Sequence, residues 1–203
     1  MIELLLIGAG GHSRSVVDVI QEEGIYKVVG FVDKINDLDH DKLEYSIIGK
    51  DSDLLQLRKK YDHAFITVGQ IKSPQIRKII LKELKDLGFK LPKIISPFSH
   101  VSQKAKIGLG TIVMHNSIVN AYASIGENCI INSKALIEHD AIIGDNCHIS
   151  TGAIINGDVQ VGSGTFIGSG VVTRQSIKIG INCFIGAGVI LKNDILDNQI
   201  IKK

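Results

Sequence analysis

From residue 107 to residue 191 one side chain type recurs every six residues without a slip. The positions are Ile107, Val113, Val119, Ile125, Ile131, Ile137, Ile143, Ile149, Ile155, Val161, Ile167, Thr173, Ile179, Ile185 and Leu191, and only Thr173 is not aliphatic. Ile95 and Val101 extend the series backwards. Two residues before each member stands a second row, from Ala105 and Thr111 to Cys183 and Val189, in which eleven of fifteen residues are Ala, Ser, Thr or Cys. Residues i and i−2 share one face of a strand. The residue after each aliphatic is Gly seven times and Asn three times, both tolerant of unusual backbone geometry at a corner.

A helix needs a period of 3.6, and a hairpin sheet needs turns every 8–12 residues. A triangular coil of three six-residue sides fits the period of six. Each coil stacks about 4.8 Å above the last, and roughly five coils fit between residue 101 and the end. The aliphatic row fills the prism. At about 1.5–3 kcal/mol per buried side chain it supplies on the order of 20–40 kcal/mol before chain entropy is subtracted. The high glycine count (21) and the low aromatic content (5%) suit so tight a winding.

Residues 1–92 read differently, as a small α/β domain ahead of a β-helix domain over 93–203. Residues 2–7 form an apolar strand ending in Gly8-Ala9-Gly10-Gly11-His12, followed by a helical pattern through Val16, Val17, Val19 and Ile20. Strands are expected at Val28–Val32 and Ala64–Val68. A helix is expected from Ser73-Pro74 to Gly88, with Ile76, Ile79, Ile80, Leu84 and Leu87 on its buried face. This alternation implies a small parallel sheet, half of a Rossmann-like fold. The segment Leu91–Phe98, with Pro92 and Pro97, is the crossing into the second domain. Ser13 stands where a GxGxxG pattern requires its third glycine, and the domain is too short for a dinucleotide. The expectation is a single nucleotide with its phosphates near Gly10, Gly11 and His12, and Asp33 near the base or ribose.

The totals exclude several functions. The net charge is +2, from 23 basic and 21 acidic residues with no basic run, which argues against nucleic acid. Three spaced cysteines give neither a disulfide framework nor a zinc knuckle; all fall at the small inward position, which makes them packing residues. No apolar stretch is long enough to span a membrane, and the first residues read as a buried strand with no basic leader, so a cytoplasmic protein is expected.

Of the seven histidines, His40 and His63 fall in expected surface loops, while His100, His115, His139 and His148 lie on the coils and point outward. His139 is distinctive. It sits between Glu138 and Asp140, so a carboxylate can orient its ring and raise its basicity. Its neighbours one coil away are Ala121 and Gly157, which leave a hollow, and Asn120, Glu138 and Asn156 form a polar ladder beside it. Spacings of 24 and 9 between His115, His139 and His148 do not match a β-helix metal site, so no metal is expected.

The Gly-Ala-Gly-Gly-His turn at 8–12, the strand ending Phe31-Val32-Asp33, Asn132, the segment Ile137-Glu138-His139-Asp140 and Cys147-His148-Ile149 together resemble one family. It is the sialic-acid O-acetyltransferase-like (NeuD/PglD-type) group, which includes bacterial nucleotide-sugar 4-amino N-acetyltransferases of the bacillosamine type. The resemblance spans essentially the whole chain. It implies a left-handed winding, acetyl-CoA as co-substrate, and a homotrimer with acetyl-CoA lying between adjacent β-helices. It also implies His139 as general base oriented by Asp140, Asn132 and Glu138 facing the sugar, His148 near the acetyl group, and the nucleotide of the sugar held by the front domain. Gly157, Ala187 and Lys192 complete the expected cofactor-binding set. The family's proline-bearing corner is replaced by Thr173-Arg174-Gln175-Ser176, and its glycine- and proline-containing tail does not follow Asn198. The function implied is direct acetyl transfer to the 4-amino group of a nucleotide-linked 4-amino-4,6-dideoxy sugar. The alternatives are O-acetylation of a sialic acid and a non-catalytic nucleotide-sugar-binding scaffold. His139 and His148 are nine residues apart, half a coil, so a pocket using both borrows one from a neighbouring subunit.

Overall fold

The computed structural model describes residues 1–33 and 44–203. His40 lies outside the described residues. The front domain runs β1 (Ile2–Ile7), α1 (Gly11–Glu23), β2 (Tyr26–Val32), β3 (Ile47–Gly49), a 3-10 turn (Asp51–Asp53), α2 (Leu54–Lys60), β4 (His63–Ile66) and α3 (Gln75–Asp86). Its four strands are parallel, in the order β3-β2-β1-β4. The sheet agrees with the sequence pattern, but β3 and α2 carry too little periodicity to have been read. Two expectations change. His63 opens β4 instead of lying in a loop. In α3 the buried face is Arg77, Leu81 and Leu84, while Ile76 and Ile79 are exposed. A buried arginine breaks the apolar stripe that the sequence suggests, and both of its terminal guanidinium nitrogens find acceptors, as shown below.

From Ile94 onward the chain winds into a three-faced parallel β-helix. The first face stacks β5 (Ile94–Ile95), β8 (Ile112–Val113), β11 (Ile130–Ile131), β14 (His148–Ile149), β17 (Phe166–Ile167), β20 (Phe184–Ile185) and β22 (Ile200–Ile201). The second stacks β6 (His100–Val101), β9 (Ile118–Val119), β12 (Leu136–Ile137), β15 (Ile154–Ile155), β18 (Val172–Thr173) and β21 (Ile190–Leu191). The third stacks β7 (Lys106–Ile107), β10 (Ser124–Ile125), β13 (Ile142–Ile143), β16 (Gln160–Val161) and β19 (Lys178–Ile179). Register holds at 18 residues through β21: Ile130 pairs with His148 and Ile131 with Ile149, as Leu136 does with Ile154. It shortens to 16 in the last coil, where Phe184 pairs with Ile200 and Ile179 with Ile195. The segment expected as a crossing therefore already contains the first strand of the prism.

The aliphatic row forms one core with the small inward row. The small residues do more than leave room. The Thr111 hydroxyl donates to the Gly126 carbonyl, Ser117 to Asn132, and Thr165 to Gly180, each at 2.8 Å; the Cys129 and Cys147 thiols reach the Gly144 and Gly162 carbonyls. These groups tie each coil to the next from inside the prism, where an unpaired polar group would be costly. The one polar member of the aliphatic row, Thr173, is buried and accepts the Asn156 N–H at 3.0 Å.

The corner geometry corrects the reading of the glycines. The left-handed residue is the third after each aliphatic: Asn116, Tyr122, Asn128, Lys134, Asp140, Asn146 and Asp158 among others. The glycine directly after the aliphatic is needed for another reason. A Cβ on Gly108 would lie 2.4 Å from the Gly126 carbonyl carbon, and one on Gly162 2.6 Å from that of Gly180. Close approach of successive coils, not backbone conformation, keeps these positions bare.

The front domain sits on the first face. Outward-pointing Ile94, Ile112 and Ile130 are fully buried in one cluster with Leu4, Val16, Val19, Ile20 and Phe31. Ile137, in β12 (Leu136–Ile137), is fully buried within the prism. Ile137→Asp should cost on the order of 5 kcal/mol and remove soluble folded protein. A variant that melts like the wild type would show the register to be wrong.

Candidate active site

β12 ends at the corner between the second and third faces, before β13 (Ile142–Ile143). His139 and Asp140 form that corner. Asp140 occupies the left-handed position with φ 61°, a conformation that Asp tolerates better than most residues. This turn brings its Oδ2 to 2.9 Å from His139 Nδ1. A carboxylate only accepts, so Nδ1 carries the proton and Nε2 is left with its lone pair. The hydrogen bond to Asp140, with the charges of Asp140, Glu138 and Asp158, holds the His139 pKa above the ordinary histidine value. Glu138 Oε2 accepts from the His139 backbone N–H at 3.2 Å and from Asn120 Nδ2 at 2.9 Å. The expected ladder stops there, because the Asn156 side chain turns to the Thr173 carbonyl. Glu138, His139, Asn156, Gly157, Arg174, Gln175 and Ser176 line an open pocket of about 720 Å³. Arg174 was seen in the sequence only as a departure at a corner. Its spacing of 36 residues from Glu138, two coils of 18, was the signal that places it in this column. Lys192 stands one coil further along the same corner.

Asn132 and His148 form a separate group. Their side chains meet at 3.2 Å (Asn132 Nδ2 to His148 Nε2). His148 Nδ1 donates to the Gln70 carbonyl of the front domain. The ring points out of the prism as expected, but the front domain covers it and leaves 7% exposed. Burial pushes its pKa down to about 4, helped by the Arg77 charge and opposed by the Gln70 bond. It is a neutral, doubly bonded histidine resting on the edge of Phe166. Ala187 follows β20 as Asn132 follows β11, at the corner between the first and second faces. One prism therefore divides the expected residues. Glu138, His139, Asp140, Gly157 and Lys192 share one corner; Asn132, His148 and Ala187 lie on the first face and another corner.

One further coil histidine has a role that sequence did not reveal. His115 bonds Ser96 Oγ at 2.6 Å and Asp18 Oδ2 at 2.8 Å, bridging the domains. Arg77, fully buried, donates to the Val68 carbonyl at 2.6 Å and the Asn128 carbonyl at 3.1 Å. Gln70 Nε2 reaches the Asn146 carbonyl at 2.9 Å. Each of these needs a partner from the other domain, and spacing along the chain carries no trace of it.

In the front domain the glycine turn is open. Gly10 and Gly11 are exposed, and a Cβ on either would meet nothing within 4 Å. Gly10 caps α1 without a side-chain hydrogen bond, and of the first-turn N–H groups that of Ser13 returns to the Gly10 carbonyl at 3.0 Å. Ser13, in place of the third glycine, is buried and donates to the Gly10 carbonyl at 2.7 Å. Asp33 Oδ2 accepts the Ala9 N–H at 2.5 Å, so Asp33 adjoins the turn as expected, beside a cavity of about 280 Å³ that also holds Gly8, Asp51 and Val68. His12 turns inward instead. Burial, then Arg77 and His148, push its pKa down to about 3.

Among the described residues no group of three or more metal-ligating side chains converges, and no helix is long and apolar enough to cross a membrane.

Residues 3–84 match the family model of the PglD N-terminal domain. Residues 122–157 and 140–175 match the bacterial transferase hexapeptide (six repeats), and 158–193 the hexapeptide repeat of succinyl-transferase. No curated protein sequence matches the chain. Among solved structures, the acetyltransferase domain of PglB from Neisseria gonorrhoeae FA1090, in complex with acetyl coenzyme A, is 32% identical with a TM-score of 0.90, over 98% of this chain and 94% of that one. A histidine variant of perosamine N-acetyltransferase from Caulobacter crescentus, in complex with CoA and GDP-perosamine, is 28% identical with a TM-score of 0.91, over 98% and 92%. WeeI from Acinetobacter baumannii AYE shares the fold at 19% identity and a TM-score of 0.84, over 100% and 97%. With its PglD-type front domain and left-handed β-helix of hexapeptide repeats, the chain belongs to the NeuD/PglD-type sugar acetyltransferases and uses acetyl-CoA as its co-substrate.

Proposed function

We propose that the chain N-acetylates the 4-amino group of a nucleotide-linked 4-amino-4,6-dideoxy sugar by direct transfer. The observation that carries this is the His139–Asp140 pair opening onto the pocket at the second corner. A free amine attacks the thioester carbonyl of acetyl-CoA; the C–N bond forms and the C–S bond breaks. His139 Nε2 takes the amine proton and passes it to the departing thiolate, which leaves as the CoA thiol. Asp140 keeps Nδ1 protonated and stabilises the imidazolium as it forms. Backbone N–H groups of the coils stabilise the oxyanion. The buried thiols of Cys129, Cys147 and Cys183 fit a route without an acyl-enzyme. Glu138 and Asn132 contact the sugar. The nucleotide lies on the front domain, with its phosphates at the N–H groups after Gly10 and its ribose or base at Asp33. The kinship with an N-acetyltransferase bound to CoA and GDP-perosamine supports N- over O-transfer.

The site is completed between subunits of a homotrimer. The two groups of candidate residues lie at the two edges of the second face. That face carries an outward apolar row of Ile118, Leu136, Ile154, Val172 and Ile190, of which Ile118 is 40% and Ile190 65% exposed. A neighbouring copy seated there would bury the row and bring its Asn132 and Ala187 towards His139, while Gly157 and Lys192 line the channel for acetyl-CoA. A threefold ring repeats the contact by heterologous closure.

His139→Ala should lower turnover by about 10²–10⁴-fold, the usual contribution of a general base, with folding intact because the side chain is exposed. Normal turnover in folded protein would sink the assignment. The rate should rise with pH as His139 loses its proton, with a midpoint above the ordinary histidine value. Asp140→Asn removes the negative charge beside the ring and should move that midpoint down; an unchanged profile would separate Asp140 from the base. Thiol release from acetyl-CoA, measured against UDP-, GDP- and dTDP-linked amino sugars and free sialic acid, tests the substrate. Turnover confined to sialic acid would replace N- by O-transfer. Mixed trimers of inactive His139→Ala and inactive Asn132→Ala chains should regain activity; mixed trimers without it would refute the shared site.

A further inference from the structure

Glycines in this β-helix have two structural causes, and Gly157 answers to neither. Those directly after an aliphatic residue are bare because the next coil's backbone lies against them. Those third after it, Gly110, Gly152, Gly164, Gly170 and Gly188, have positive φ. Gly157 is second after Ile155. Its φ is not positive, and no backbone atom comes closer than 3.5 Å to a Cβ placed on it. Every other residue in that register position from Leu109 to Asn193 carries a Cβ. The three atoms nearest a Cβ on Gly157 all belong to the His139 ring, with Cε1 at 2.8 Å, Nε2 at 3.0 Å and Nδ1 at 3.5 Å. The imidazole thus lies over the bare α-carbon of the next coil.

We propose that Gly157 is a positioning residue, a seat whose missing side chain sets the direction of His139 Nε2. This rests on the reading of His139 as general base. The coil cannot yield to an added methyl. The Gly157 carbonyl accepts the Ser176 N–H at 2.9 Å, and the Asp158 N–H donates to the His139 carbonyl at 3.1 Å. The ring can yield, because its side chain is 64% exposed. Rotation away from the seat swings Nδ1 off Asp140 as well. A Cβ at 157 therefore disturbs both ends of the imidazole while leaving the backbone in place, and an ångström of misplacement at a reacting group costs about 10²-fold in rate.

The test is Gly157→Ala in the full-length protein, with melting, steady-state kinetics and a histidine NMR titration read together. The expected result is a wild-type melting temperature, kcat down by about 10²-fold, a smaller effect on KM for acetyl-CoA, whose channel Gly157 lines, an unchanged KM for the sugar nucleotide, and the His139 titration midpoint moved down towards that of an unpartnered histidine. Gly157→Ser should behave alike. A wild-type kcat and titration would overturn the proposal, as would a rise in KM for acetyl-CoA at constant kcat, which marks Gly157 as cofactor floor alone. The titration needs no turnover, so it judges the seat even if His139→Ala proves active and the general-base reading falls.

Discussion

Everything in the second domain depends on the hydrogen-bonded register between coils. Each residue lies directly against the residue 18 positions away, and no pairing slips from β5 to β21. A parallel ladder with a fixed repeat turns sequence spacing into spatial columns. The column through Ala121, His139, Gly157 and Gln175 is therefore set by the backbone before any side chain is chosen. The same register places a left-handed residue at every corner, and at one of them Asp140 converts that turn geometry into a hydrogen bond to the imidazole. Chemistry here is assembled by decorating corners whose position costs the chain nothing beyond the fold itself.

The two histidines of the expected site show what environment does to one side chain. His139 is exposed beside three carboxylates, and its basicity is raised. His148 is buried between domains with both ring nitrogens engaged, and its proton affinity falls until it is neutral at ordinary pH. A neutral imidazole whose Nδ1 is held by a carbonyl offers Nε2 only as an acceptor, here to the Asn132 amide. His148 therefore fixes the Asn132 amide, and the front domain, through the Gln70 carbonyl, sets its tautomer. The Gln70 carbonyl, the His148 ring and the Asn132 amide form one hydrogen-bonded chain from the front domain into the β-helix.

The β-helix was legible because a period of six has no competing explanation and because a filled prism imposes it fifteen times. His139 was legible for a related reason: its neighbours in space are its neighbours at plus and minus eighteen. What depended on contact between domains was not. Arg77 interrupts an apolar helical stripe and would be assigned to solvent on spacing alone, yet it is fully buried, with carbonyl acceptors at Val68 and Asn128. His12 follows the glycine turn in sequence but faces the seam, because a helix's second residue points according to the helix phase and not the turn. The glycines were counted correctly and explained wrongly, since a close approach between coils and a left-handed corner leave the same letter at different offsets.

The first face and the second face differ in one respect that bears on assembly. Both present an aliphatic row outward. On the first, the front domain buries Ile94, Ile112 and Ile130 completely. On the second, Ile118 and Ile190 remain open. Apolar surface left open in this way is where the proposed second copy would seat. The residues proposed for one reaction lie on either side of that row, Glu138 and His139 at one edge, Asn132 and Ala187 at the other. In the proposed trimer, burial of the row and completion of the site are a single event, because the two groups of candidate residues in one protomer face apart.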